Sequence, residues 1–498
     1  MRLRYAAMFL SALFTAGCLV GPSYHRPSAP MPPAFKELME KQAAAGVAWK
    51  TAQPNDAAGR GKWWIILGDP ELNALEEEVT VSNQTIAMAE AQYRGARALV
   101  GNVRSSLFPS IGVGVSVARS SGVTTRSPGS GQAAPAVNSF EMPVDMSWQL
   151  DLFGRIRRSV QAGLANAQAS AADLEGVRLT LHAELALDYL MLRGLDAEIE
   201  LLNRTAAGYQ TALNLTENRF KQGVVSGVDV AQAKTQLDAT RAQATDLGLS
   251  RAKIEHGMAV LVGKPPAEFS VPPASIHIAP PEIPVGLPSE LLERRPDIAA
   301  AERRMAAANA QIGVAVAGYF PDVSLSGLAG YQGSKLSGLF SLPNRLWSLG
   351  ASLFETLFNG GQRRALKQQA VAAYDAAVAE YRETVLTAFE QVEDNLAAVR
   401  ILAEEARYQN DAVAEAELAL KLANNRYGNG VTSYLEVVTA QSTALTNERL
   451  AVELLTRQLT AGVGLIETLG GGWNDSALAD LGLIQADPPS VKKRSCPR

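Results

Sequence analysis

The chain has 498 residues, with 46 Lys and Arg against 50 Asp and Glu, and the resulting net charge of −4 argues against nucleic acid as a partner. Hydrophobic residues reach 47% but are dispersed, with no apolar run of about eighteen, so no transmembrane helix is expected. Aromatics are only 6%, while Ala, Leu and Gln are abundant, a composition suited to long helices rather than to one compact core.

At the N-terminus, Arg2 and Arg4 precede the apolar run 6–20, which is too short to span a bilayer and reads as a secretory signal over residues 1–17. Thr15, Ala16 and Gly17 place small residues directly before Cys18, the arrangement of a lipoprotein signal in which Cys18 becomes the lipid-bearing N-terminus; the competing reading is an ordinary signal peptide with an incidental cysteine. Leu19, rather than Asp, follows, which resembles outer-membrane sorting. Removing residues 1–17 takes away two arginines and moves the charge to −6. Cys496 is then the remaining thiol, in the Pro/Lys/Arg-rich segment 488–498 that reads as disordered, at the end of a C-terminal tail over 471–498.

Residues 18–62 form a lipid anchor and extended tether rich in Pro, Ala and polar residues. Leu72, Leu75, Val79, Ile86, Ala89 and Tyr93 then keep helical spacing, predicting a helix from about 72 to 107 that ends at Phe108-Pro109. There the period changes from 3.6 to 2. Ile111, Val113, Val115 and Val117 alternate with Ser and Gly, and after a Ser/Gly/Pro-rich loop Met142, Val144, Met146, Trp148 and Leu150 alternate with Asp145, Ser147 and Gln149. One face suits lipid and the other water.

A rod follows from about 155 to 220, then a turn at 219–227 and a returning helix from 227 to 262. At 1.5 Å per residue, about 65 residues make a rod of roughly 100 Å. After a linker at 265–288, the same order recurs: a helix over 289–318, strands carrying Val323, Leu325, Trp347, Leu349, Ala351 and Leu353, a rod from 362 to 427, a turn at 426–434 and a helix over 433–469. Leu328 breaks the alternation. The shorter helices of each half are expected to stack end to end beside the long one, and the Ala-rich faces at 162–172 and 370–379 let neighbours approach closely, leaving a wet side.

The recurrence is a duplication. Ala96, Ala98, Gly101, Phe108 and Pro109 match Ala308, Ala310, Gly313, Phe320 and Pro321 at an offset of 212, and the turns match at 207, giving a first repeat over 63–264 and a second over 289–470. Four strands cannot seal a barrel, and open edges are not tolerated in lipid. Two copies would give eight strands filled by side chains; three give twelve and a lumen. The expected fold is therefore an α+β membrane protein: a trimeric 12-stranded barrel with four strands per subunit, continued by a long α-helical barrel. Trp148, Tyr331 and Trp347 would be interface aromatics. The alternatives are a soluble sandwich for the strands and a solid coiled coil for the rods.

The four histidines at 25, 182, 256 and 277 show no metal-ligand spacing, the Gly pairs lack a phosphate-loop context, and the acids on the rods read as solvated faces. No catalytic residue, cofactor or metal is expected.

Several motifs together carry a family resemblance: residues 18–27 (CLVGPSYHRP), 148–155 (WQLDLFGR), 295–298 (RPDI), 319–321 (YFP), 357–365 (LFNGGQRRA) and 426–437 (RYGNGVTSYLEV). They resemble the TolC-like outer-membrane factors, specifically the NodT-like lipoprotein branch of tripartite efflux systems. That resemblance implies a homotrimer in the outer membrane with a periplasmic helical tunnel, supplied through a periplasmic adaptor by an inner-membrane pump of the RND type. It also implies that the turns carrying Arg219, Gly223 and Ser226, and Arg426, Gly430 and Ser433, are periplasmic tips contacting the adaptor. Tyr434 and Leu435 match positions that narrow the pore in relatives. Thr439 stands where some relatives carry an acid; an acidic ring would come instead from Asp229 or Glu436, unless both are ordinary first-turn acids. The function so implied is passive conduction of small molecules, against the alternative of a structural or adhesive surface lipoprotein without conductance.

Overall fold

The computed structural model describes residues 19–29, 32–37, 62–121, 123–125, 131–133, 136–276, 278–281 and 294–471. The signal segment, Cys18, His277 and the tail with Cys496 lie outside them. Among the described residues no helix is long and apolar enough to cross a membrane.

The first repeat runs α1 (Pro70–Ser82), α2 (Gln84–Ser105), β1 (Ser110–Val113), β2 (Ser116–Ser120), the short hairpin β3 (Val123–Thr125) and β4 (Gly131–Ala133), then β5 (Val137–Leu150), α3 (Arg155–Lys221) and α4 (Gly227–Leu261). The second runs α5 (Pro296–Ala317), β6 (Asp322–Gly333), β7 (Arg345–Phe354), α6 (Gln362–Gly428) and α7 (Tyr434–Thr468). Each long rod is 67 residues.

The sheet is an antiparallel meander in the order β1/β2, β5, β6, β7. β1 and β2 share one register against β5, with Ser110 opposite Ser147 and Ser116 opposite Glu141. The ladder lapses between them because Pro143, opposite Gly114, has no N–H to give; Gly114 N–H still donates to the Pro143 carbonyl at 3.0 Å. Cross-strand pairing puts Val113, Val144, Ala329 and Trp347 on one face and Asp145, Leu328 and Ser348 on the other. Leu328 is thus an apolar residue on the polar face. Among the described residues, the outer edges of β1/β2 and of β7 have no strand beside them.

The helix expected over 72–107 is two helices, broken at Asn83. This residue takes extended backbone (φ −68°, ψ 125°), its side-chain carbonyl accepts from the N–H groups of Thr85 and Ile86, and its amide donates to the Leu261 carbonyl at 2.8 Å. One side chain therefore starts α2 and ends α4. In the second repeat, Arg295 does the matching work, donating to the Thr468 carbonyl at 3.2 Å where α5 begins and α7 ends. These two junctions are the end-to-end stacking, and they define a waist halfway along α3 and α6.

Apolar clusters run down the rods, the three largest at different heights. The waist holds Trp64, Leu72, Val79, Leu185, Tyr189 and Met258; nearer the sheet lie Ile298, Met305, Tyr381 and Val392; towards the turns lie Tyr209, Leu213, Leu237, Tyr427, Tyr434 and Val437. The N-terminal segment is strapped to the body. Arg158 donates to the carbonyls of Val20 (3.0 Å) and Gly21 (3.2 Å), Tyr24 hydroxyl donates to Glu302, Phe35 is buried against Phe389, and Glu37 pairs with Arg400 at 2.6 Å.

Candidate functional site

The turn between α3 and α4 and the turn between α6 and α7 have one backbone design. Gly223 and Gly430 adopt φ of +74° and +71°, a left-handed conformation costly for any residue with a Cβ. Val224 N–H donates to the Arg219 carbonyl and Gly223 N–H to that of Phe220; Val431 and Gly430 repeat the pair towards Arg426 and Tyr427. This is the Schellman arrangement, which satisfies the last carbonyls of each rod. An added Cβ at either glycine meets nothing within 4 Å, so the constraint is conformational alone.

The helices that leave the turns differ. Ser226 and Asp229 form a reciprocal capping box at the start of α4, the Asp229 carboxylate accepting from Ser226 N–H at 2.9 Å. Ser433 makes no side-chain cap. Glu436, the first-turn acid of α7, instead accepts from the Arg426 guanidinium at 2.7 Å and from the Thr432 hydroxyl. Each candidate for an acidic ring thus has a partner inside its own turn.

Arg219 joins the two turns. Its guanidinium donates to the carbonyls of Tyr427 (3.2 Å) and Gly428 (3.1 Å) and lies over the Tyr427 ring, 4.8 Å from its centre. Tyr427 in turn packs on Tyr434, ring centres 5.3 Å apart. The expectation that Tyr434 lines a constriction is corrected here: it is 2% exposed, and burial drives its phenol up to about 12. A ring packed among residues of both repeats is core. Leu435, one residue on and about 100° around the helix, is 58% exposed together with Val224, Val228 and Val431.

Sequence reasoning missed the waist. Glu76 Oε2 and His182 Nδ1 lie 2.6 Å apart, His182 stacks on Trp64 at 4.5 Å, and Thr80 hydroxyl stands 3.4 Å from Nε2. Burial pushes the Glu76 carboxyl up to about 9 and the His182 imidazole down to about 4, so the pair holds one proton across the neutral range. Beside it, Arg193, Asp196 and Arg251 form a buried network that grips the inter-repeat linker, Arg193 donating to the Pro272 carbonyl at 2.7 Å and Arg251 to that of Val271 at 2.6 Å. Among the described residues no cluster of His, Cys, Asp or Glu could hold a metal ion.

A sheet with one apolar and one polar face, set on a duplicated pair of rods, is matched by the family model for outer membrane efflux proteins over residues 75–264 and 287–471. The chain belongs to the outer membrane efflux protein family. It is 32% identical to the probable efflux pump outer membrane protein SepC of Pseudomonas putida over 478 residues, covering 95% of this chain and 98% of that one. It is 30% identical to outer membrane protein OprJ of Pseudomonas aeruginosa, covering 94% and 95% respectively. Among solved structures, the outer-membrane channel OprN is similar at 32% identity, with a TM-score of 0.81, 92% of this chain and all of that one. The protein is thus an outer-membrane efflux channel subunit, with a sheet for the membrane and helices for the periplasm, and the reading as a non-conducting stalk falls away.

Proposed function

We propose that three copies close into one hydrated bore that passively conducts small molecules delivered by an adaptor and an inner-membrane pump. The observation that carries this is the pair of bare edges. β1/β2 and β7 end the sheet on opposite sides, and below them the row of helices runs α2, α3, α5, α6 near the sheet and α4, α3, α7, α6 near the turns, so α6 lies at the same edge as β7. In lipid, unpaired edge amides cost several kcal/mol each. Joining the β7/α6 edge of one copy to the β1/α2 edge of the next removes them all when three copies close, with Ser110, Asp145, Ser147, Ser324, Ser326, Ser348 and Ser352 inside. Light scattering and native mass spectrometry of the detergent-purified protein test this; a mass of three chains supports it and a stable single chain sinks it.

At the far end, the turns are the adaptor-docking tips. Exposed Val224, Val228 and Val431 offer apolar contacts at the two ordered turns, and Leu435 narrows the bore by excluding water. Arg426, Ser226, Ser433, Asp229 and Glu436 shape the turns, and Tyr434 positions Leu435. An RND-type pump and its adaptor fit a family whose relatives are named for efflux pumps. Lipid attachment at Cys18 fits the path of the strap: Leu19 packs on Gly154 and Val20 N–H donates to the Phe153 carbonyl, at the corner where β5 becomes α3 and the bilayer must end. Metabolic labelling with palmitate tests it; Cys18→Ser should abolish the label, and a label that persists contradicts the assignment.

A further inference from the structure

The corners between strand and rod occur twice, and only one is satisfied within the chain. After β5, Leu152-Phe153-Gly154 turns into α3, and Phe153 stacks on Phe320, ring centres 4.7 Å apart and planes 20° apart. Phe320 belongs to the Tyr-Phe-Pro motif that leads into β6, the strand paired with β5 through Leu150 and Val323. The stack therefore seals the helix-side end of the β5–β6 seam. Gln149 Nε2 adds a 2.9 Å bond to Asp322 there.

The duplication supplies the same parts at the other corner. Leu357-Phe358 follows β7 and leads through Gly360 and Gly361 (φ +60° and +90°) into α6, as Gly154 (φ +83°) leads into α3. Phe108, the counterpart of Phe320, precedes β1 at the opposite edge of the sheet. Leu357 is 95% exposed, Phe358 88% and Phe108 65%, whereas Leu152 and Phe153 are half-buried. Two apolar side chains at a strand-to-helix corner are left in the open here, and among the described residues no strand lies on the far side of β7.

We infer that Phe358, shielded by Leu357, stacks on Phe108 of a second copy, repeating between chains the Phe153–Phe320 contact made within one. This rests on the three-copy closure proposed above and names the contact that locks its seam. Ser110 stands at the position of Asp322 and Gln362 at that of Arg155, so the seam between copies lacks the Gln149–Asp322 bond and the Arg155–Asp322 approach of 3.8 Å. The aromatic pair and edge-strand pairing carry that corner.

Cross-linking tests the contact in the full-length protein in its membrane. In a Cys496→Ser background, Phe108→Cys combined with Phe358→Cys, treated with a short bis-maleimide, should give a ladder of covalent dimers and trimers on denaturing gels; neither single variant should. A three-chain mass in detergent with no ladder overturns this inference and leaves the trimer standing, whereas a one-chain mass for the unaltered protein removes both. A second measurement covers assembly failure of the cysteine variants. Phe108→Ala and Phe358→Ala should each lower the temperature at which the trimer dissociates, and the double variant should fall no further than the worse single one. Fully additive losses contradict a direct contact.

Discussion

The waist and the tips are both places where helix ends meet, yet they are held in opposite ways. At the waist the junctions are buried or nearly so: Asn83 bridges α2 to Leu261 of α4, Arg295 reaches Thr468 of α7 from a side chain 11% exposed, and Glu76 faces His182 beneath Trp64. At the tips the ties are exposed or half-buried, and one side chain, Arg219, holds the first turn to the carbonyls of the second. Exposed bonds exchange with water at little net cost, whereas buried ones leave unsatisfied groups when broken. The helical body is therefore fixed at its middle and loosest at the turns, the place proposed above for adaptor docking.

The largest expected effect is at the waist. Glu76→Ala strands the His182 Nδ1 in an apolar pocket and leaves a cavity, costing about 3 kcal/mol in thermal or chemical denaturation of the purified protein. The pair also sets a pH dependence. Folded, it holds one proton between its lowered and raised values of about 4 and about 9; unfolded, from ordinary values of about 4.5 and 6.5, it holds two below that range, one within it and none above. Its contribution to stability should be flat from about pH 4.5 to 6.5, fall as pH rises from 6.5 towards 9, and fall again below 4.5. Glu76→Gln should remove the alkaline decline, seen as a melting temperature that no longer drops between pH 6.5 and 9.

At the tips the effects are smaller and local. Arg219→Ala removes two hydrogen bonds and a cation–π contact, worth about 2 kcal/mol together; faster amide exchange at 426–434, with the waist unchanged, is the expected signature. Next comes Gly430→Val, where a β-branched residue at positive φ costs about 1–2 kcal/mol. Efflux should fall while the yield of assembled protein holds, and normal export would contradict the tip assignment. The smallest effect separates the two turns most sharply: Ser226→Ala should destabilise α4 by about 1 kcal/mol through loss of its capping box, and Ser433→Ala, which removes no cap, by under about 0.5.

The sequence made the strands and rods legible because their signals are local. The change from period 3.6 to 2 at Phe108-Pro109, and the Gly that ends each rod, need no knowledge of distant contacts. What it hid depends on partners far along the chain. Asn83 falls inside the helix expected over 72–107, and its break is completed by Leu261, 178 residues later. Pro143 sits in a recognisable alternation, and only the strand opposite shows that its missing N–H divides β1 from β2. The family resemblance places Tyr434 at the bore, but Tyr427, Tyr209 and Leu237, drawn from both repeats, bury it. The motif places Arg219 on a turn; its hold on Tyr427, 208 positions away, has no local signal.

Under the closure proposed above, one chain is too little to enclose the bore and three are enough. Planar-bilayer recording from detergent-purified protein whose mass has been measured tests it most directly, with Leu435→Ser beside the unaltered chain. The expected result is a three-chain particle of low conductance that rises when the leucine ring is made polar. A folded single-chain particle, or a three-chain one that carries no current in either form, would contradict the account.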